Sequence, residues 1–135
     1  MADTFTFELV SPERLLISED VESVVVPGSE GDFQVLANHA PVLSTLRAGL
    51  LDVVLPDGKE RRIFVRGGFA EAGPESLTVL AQTAIDSADL NKAALAQEIQ
   101  NAEEDVADAK DDQTRDKAQD KLDQLKLIRD TLGLN

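Results

Sequence analysis

The sequence changes period at Asp86, and that change limits what the chain can fold into more than any single motif does. Residues 86–132 contain neither glycine nor proline, so nothing in that stretch forces a turn, and apolar positions recur at the spacing of a helix face rather than of a strand. Leu95, Ile99, Ala102, Val106 and Ala109 step by fours and threes along one face, and Ala118, Leu122, Leu125, Ile128 and Leu132 draw a second stripe. Ser87 or Asp86 is the expected cap of the first helix. Lys110 suits a helix carboxyl end, Asp111, Asp112 and Thr114 suit a turn and a fresh cap, and Gly133 supplies the stop. Two antiparallel helices are therefore expected over residues 86–135. Their grip on each other is expected to be weak, because Ala102 and Ala109 bury little apolar area.

Residues 1–85 obey the other period. Phe5, Phe7 and Leu9 alternate with Thr4, Thr6 and Glu8, the pattern of a strand with one face in a core. Ser11-Pro12 ends it, Leu15 to Ile17 form a short apolar patch, and Val21 to Val26 read as one strand that stops at Pro27-Gly28. Ser29, Glu30, Gly31 and Asp32 read as a polar turn, after which Phe33, Val35 and Leu36 return as the second arm of a hairpin. Asn38-His39-Ala40-Pro41 is a second turn. Leu51 to Leu55 and Arg61 to Val65 flank Pro56-Asp57-Gly58 as a further hairpin. Gly67-Gly68 marks a bulge or a close backbone approach, and Phe69 to Ala72 and Leu77 to Ala81 flank a turn at Gly73-Pro74. Many short strands with turns between them predict a β-sandwich or barrel.

Composition narrows the function classes. A net charge of −13 argues against nucleic acid, whose phosphates need a basic footprint, and against electrostatic docking on anionic lipid. The absence of cysteine excludes a disulfide framework and thiolate metal sites. No run approaches the roughly 20 apolar residues that span a bilayer, and the start Met1-Ala2-Asp3-Thr4 has no signal-peptide pattern, so a soluble chain is expected, held at any membrane by a protein partner. No nucleotide-binding loop, cofactor motif or catalytic set is present. Glu103-Glu104-Asp105 reads as a solvated helix face rather than a metal site, and the single histidine, His39, as a contact residue beside a proline turn. Catalytic, metal and cofactor-binding residues are thus expected to be absent. On pattern alone the alternative reading is a free-standing β-sandwich adaptor or chaperone with a helical arm.

The order of residues goes further than the pattern. P-G-S-E-G-x-F-x-V-L-x-x-H-A-P from Pro27 to Pro41, then L-x-x-G at Leu46 to Gly49, R-G-G-F-A-E at Arg66 to Glu71 and L-T-V-L-A-x-T-A at Leu77 to Ala84, closely resembles the ε subunit of the rotary proton-translocating ATP synthase, called δ in mitochondria. The resemblance implies a flattened β-sandwich followed by a two-helix hairpin, in a non-catalytic subunit of the central stalk. It implies a sandwich that clamps the γ subunit, rests on the ring of c subunits and couples its rotation to ATP synthesis, at the cytoplasmic face of a bacterial plasma membrane or the matrix side of the mitochondrial inner membrane. Carried over by position, Ser29, Glu30, Gly31 and Asp32 face the c-ring, and His39, Ala40, Pro41 and Val42 border the γ and c contacts. The hairpin is expected to reach the catalytic α and β subunits through Arg115, Lys117, Lys121, Lys126 and Arg129, restraining ATP hydrolysis weakly because nearby aspartates dilute the positive charge. Family members that bind ATP show I/L-D-x-x-R-A where the first helix begins. Here Leu90-Asn91-Lys92-Ala93-Ala94-Leu95 stands there, with Asn91 for the aspartate and Ala94 for the arginine. A register two residues earlier, Ala88-Asp89-Leu90-Asn91-Lys92-Ala93, restores the aspartate but puts Lys92 in place of the arginine and Ala88 in place of the leading leucine, and lysine lacks the planar guanidinium fork. Both registers argue against nucleotide sensing.

Overall fold

Alternation in residues 5–9 carries directly into the first strand: Phe5, Phe7 and Leu9 are buried while their neighbours are half-exposed. The computed structural model describes residues 3–133. Strands β1 (Phe5–Val10), β2 (Leu15–Val21), β3 (Ser23–Gly28), β4 (Gly31–Val35), β5 (Val42–Thr45), β6 (Gly49–Val54), β7 (Glu60–Ala72) and β8 (Ser76–Asp86) are followed by helices α1 (Lys92–Asp108) and α2 (Asp112–Thr131). This is a β-sandwich followed by a helical pair, the architecture expected from the two periods. Two compact units result, Met1–Ala88 and Asp89–Asn135.

In the first unit the strands run in the order β2-β1-β8-β7-β6-β3-β4, with β5 also paired to β7. Pairing is antiparallel except between β1 and β8, which lie at opposite ends of the strand sequence. Strand β7 is long enough to serve two partners: Glu60 to Val65 pair with β6, and Phe69 to Ala72 pair with β5. Gly67 and Gly68 stand at the change of partner with φ of 71° and 107°. The β7–β8 register runs through this point without a shift, from Arg66↔Thr83 to Gly68↔Ala81. The glycines therefore mark a close backbone approach rather than a bulge in that ladder. Leu46 completes the enclosure, bridging Gly28 on one side and donating its N–H to the Gly68 carbonyl at 3.1 Å on the other. The core between the layers includes Phe7, Leu9, Val24, Val26, Leu51, Ile63, Leu77 and Val79, and each such side chain stabilises the fold by about 1.5–3 kcal/mol through its burial.

Arg61 at the start of β7 donates Nε and Nη2 to Asp86 Oδ2 at 3.2 and 2.8 Å, and Nη1 to Glu19 Oε1 at 2.7 Å. It therefore ties β7 to the end of β8 and to β2. The hydrogen bond to Asp86 is the largest influence holding the guanidinium above its ordinary value, with Glu19 adding to it against partial burial.

Local boundaries differ from the expected ones in four places. Val21 to Val26 is not one strand: Val21 closes β2 opposite Phe5, the chain bends at Glu22, and β3 begins at Ser23. Pro27 and Gly28 do not end β3 but pair with Asp32 and Gly31, so the tip is a two-residue turn, Ser29–Glu30, rather than a four-residue one. Pro27 has no N–H to give, yet its carbonyl accepts the Arg47 N–H at 3.0 Å, which keeps it inside the ladder. The second turn begins one residue early, at Ala37–Asn38. There Asn38 adopts φ 66°, a left-handed conformation that asparagine tolerates better than most residues.

The fourth difference concerns the helical unit. Asp86 still belongs to β8, opposite Ile63, and its Oδ1 accepts the Ala88 N–H at 3.0 Å. It thereby caps only a short 3-10 turn, Ser87–Asp89. The cap of α1 is Asn91, extended at φ −105° and accepting the Ala94 N–H at 3.0 Å. Asp111 caps α2 by accepting the Thr114 N–H at 2.7 Å. Gly133, with φ 69°, follows the last helical turn as the stop. Leu95, Ile99 and Ala102 on α1 and Leu122, Leu125 and Ile128 on α2 are the buried residues of this unit. Val106, Ala109, Ala118 and Leu132 are only partly covered, so the first stripe buries its amino-terminal part and the second its middle.

Candidate functional site

The β3–β4 tip is held by the end of β5 and by the connection between β5 and β6. The Ser29 N–H donates to the Thr45 carbonyl at 2.9 Å, and the two hydroxyls of Ser29 and Thr45 share a hydrogen bond of 2.6 Å. Arg47 approaches from the same connection and forms an ion pair with Asp32. An exposed hairpin would ordinarily fray, but this one is bonded sideways to a second segment at both backbone and side chain.

Glu30, Gly31, Asp32, Phe33, His39, Val42, Leu43 and Ser44 line one shallow depression of about 360 Å³ beside the tip. The structure thus brings together the two groups of residues that the sequence treats as neighbouring segments. Glu30, Gly31 and Asp32 supply one wall, and His39 and Val42 the other. Ser29 lies at the tip but turns its hydroxyl to Thr45. Ala40 and Pro41 are exposed and outside the lining. The Ala40 carbonyl accepts a hydrogen bond of 2.6 Å from His39 Nδ1, and because a carbonyl can only accept, Nδ1 carries the proton. The His39 ring lies tilted against Phe33, centroids 6.5 Å apart.

Sequence reasoning missed Phe33, Leu43, Ser44 and Arg47. Leu43 is 67% exposed, a large apolar side chain left in water in the middle of a polar rim. Consecutive residues of a strand point to opposite faces, so the pair Val42-Leu43 signalled that one of the two lies off the core, without saying which. Both are exposed. Chemically the surface combines carboxylates, an apolar centre and a constrained imidazole, the composition of a docking face rather than of a reaction centre. Among the described residues, no group of histidines and carboxylates is arranged to hold a metal ion.

On α2 the five basic residues do not form one patch. At roughly 100° per residue, Arg115, Lys126 and Arg129 fall on one side and Lys117 and Lys121 on the other. Arg115 and Arg129 are paired with Asp112 and Asp130 at 3.5 and 3.0 Å. At the start of α1 the side chain of Asn91 is engaged as a cap. No helix among the described residues is long and apolar enough to cross a membrane.

Residues 4–87 match the family of the ATP synthase delta/epsilon chain β-sandwich domain. An ATP synthase epsilon chain from Parvibaculum lavamentivorans is 54% identical, over 98% of this chain and 100% of its own length. One from Mesorhizobium japonicum is also 54% identical, over 93% of both chains. Among solved structures, a chain of the Euglena gracilis mitochondrial ATP synthase, determined with its F1 part and c-ring, superposes with a TM-score of 0.73 at 21% identity, over 96% of this chain and 81% of that one. At that identity the likeness speaks to the fold.

Proposed function

The chain belongs to the ATP synthase delta/epsilon family, as an epsilon-type subunit of the central stalk of the rotary ATP synthase, and from that premise we propose that its sandwich is the element seated between the γ subunit and the ring of c subunits. The depression beside the β3–β4 tip carries this reading. It sets two carboxylates beside the exposed apolar side chain of Leu43, which suits a partner surface of basic and amide groups around an apolar centre. Rigidity supports it too. A rotor contact must transmit torque, and the tip is bonded to the end of β5 rather than free to swing.

The subunit's own role is non-catalytic. Its one histidine is engaged by a backbone carbonyl and not by a nucleophile or an acid. It works at a membrane-associated complex, on the cytoplasmic face in a bacterium, through its protein partners. A free-standing adaptor or chaperone is disfavoured, because relatives that match nearly the full length are named as synthase subunits. The helical unit serves as a weak brake on ATP hydrolysis by the catalytic subunits, through the scattered basic residues of α2. Nucleotide sensing has no support, since Asn91 is spent as a helix cap and Ala94 offers no side-chain donor.

Leu43→Asp in the assembled synthase tests the docking reading. The residue is exposed, so the sandwich should fold with unchanged stability, while the number of protons pumped per ATP hydrolysed in reconstituted vesicles should fall. Unchanged pumping with the variant subunit incorporated would show that this face does not dock.

A further inference from the structure

Strand β8 stops before its partner does. Asp86 opposite Ile63 is the last pair of the β7–β8 ladder, yet Arg62, Arg61 and Glu60 of β7 extend past that point. The chain turns away instead, because the Ala88 N–H donates to Asp86 Oδ1 at 3.0 Å and the 3-10 turn Ser87–Asp89 begins. The other oxygen of the same carboxylate is held from outside. Asp86 Oδ2 accepts Nε and Nη2 of Arg61 at 3.2 and 2.8 Å, and Arg61 is itself fixed through Nη1 on Glu19 of β2 at 2.7 Å. At 18% exposed, Asp86 is the most enclosed acid of any ion pair among the described residues, so water competes least for this charge-assisted bond. A carboxylate pinned on one oxygen cannot swing the other away. Side chains on β7 and β2 therefore fix the geometry of a turn that stands at the boundary of the two compact units, Met1–Ala88 and Asp89–Asn135.

We propose that Arg61 and Asp86 form a latch on the tether between the sandwich and the helical unit. Closed, it keeps Ser87–Asp89 as an ordered turn and leaves only Leu90 and Asn91 between that turn and α1. Released, residues 87–91 become one free tether. Three residues of 3-10 turn span about 6 Å and the same three extended about 10 Å, so release adds freedom of direction rather than reach. Any partner that takes the helical unit along another path has to break the pair first, which makes the ion pair part of the equilibrium cost of that move. The latch is independent of the depression beside the β3–β4 tip, since Glu19, Arg61 and Asp86 do not line it. Its rival is a plain Asx turn, in which Asp86 bonds the N–H two residues on without help from Arg61.

The test follows hydrogen exchange of the Ala88 amide by nuclear magnetic resonance in the full chain, as protection relative to an unstructured peptide of the same sequence. The buried strand residue Val79 reports on the sandwich. Arg61→Gln removes the clamp and leaves the Asp86 carboxylate in place. Ala88 should then lose about tenfold in protection, the effect of freeing one charge-assisted hydrogen bond, while Val79 stays protected. Asp86→Asn should give the same loss, although asparagine closes an Asx turn as well as aspartate does. The double variant should lose no more than either single one, because both substitutions remove one shared interaction. Unchanged protection of Ala88 in a folded Arg61→Gln chain would show that the turn stands unaided and would overturn the proposal. So would a double variant whose loss is the product of the two single losses, since the residues would then act separately. Should thermal unfolding show that Arg61→Gln is unfolded, Asp86→Asn decides alone: lost protection at Ala88 upholds the latch, and unchanged protection leaves the plain turn in its place.

Discussion

Replacing Gly68 by alanine should cost the sandwich more than any other single methyl group added to its glycines. The residue has φ 107°, a conformation that costs a side-chain-bearing residue about 1–3 kcal/mol. A Cβ there would overlap the Leu80 carbonyl oxygen and stand 2.8 Å from its carbon and 3.2 Å from Ala81 Cα. These are backbone atoms of the paired strand, so no rotamer change relieves the clash, and β7 and β8 have to part. Gly68 pairs with Ala81 on one side and accepts from Leu46 on the other. Losing two such bonds at about 1 kcal/mol each on top of about 2 kcal/mol of strain brings the loss to at least about 4 kcal/mol. Gly58→Ala is the control. Its φ is also positive, at 86°, but nothing lies within 4 Å of its added Cβ, so it should lose only about 1–2 kcal/mol of conformational strain. In a unit of this size each kcal/mol moves the midpoint by about 4–8 °C. Gly58→Ala should therefore drop it by about 4–16 °C, and Gly68→Ala by more than about 16 °C or prevent folding. The chain has no tryptophan or tyrosine, so far-ultraviolet dichroism of the sandwich is the signal to follow. Equal losses in the two variants would refute the claim that close strand approach, and not backbone conformation alone, demands glycine at 68.

Two further outcomes are expected in the helical unit. The Asp111 carboxyl is held below its ordinary value of 3.8, chiefly by the backbone N–H of Thr114. Its contribution to the start of α2 is therefore complete above that value and lost as the pH falls through the lowered one. Asp111→Asn keeps a capping oxygen without a titrating group, so helical dichroism should lose this acid-side step while staying unchanged at neutral pH; a step that survives the substitution would assign the titration elsewhere. Deleting residues 89–135 in the assembled synthase should raise ATP hydrolysis by less than the roughly fivefold that marks the lower end of ordinary allosteric coupling, because the basic residues of α2 are divided between two sides and two of them are paired. A larger rise in steady-state hydrolysis would make the arm a strong inhibitor.

Much of this protein was legible without coordinates, and the reason is periodicity. Phe5, Phe7 and Leu9 alternate because one face of a strand is wet and the other dry, and Leu122, Leu125 and Ile128 recur because a helix buries one side. Those are local consequences of backbone geometry, so sequence alone determined the two architectures, the hairpin at Pro56-Asp57-Gly58 and a fresh helix start within Asp111, Asp112 and Thr114. Tertiary structure decided what depended on a distant segment. Nothing near Pro27 in the chain announces that Arg47 will offer its N–H and keep β3 going to Gly28. Nothing near Asp86 announces that Ile63 and Arg61 will hold it in β8 and pass the first helix cap to Asn91. The depression beside the β3–β4 tip follows the same rule. Its acidic wall was visible as a run of polar residues, but the exposed Leu43 and the partner of Asp32 come from β5 and the connection after it. Which of two neighbouring carboxylates stays free is a matter of where a cation from elsewhere in the chain comes to rest, and only the packed strands determine that.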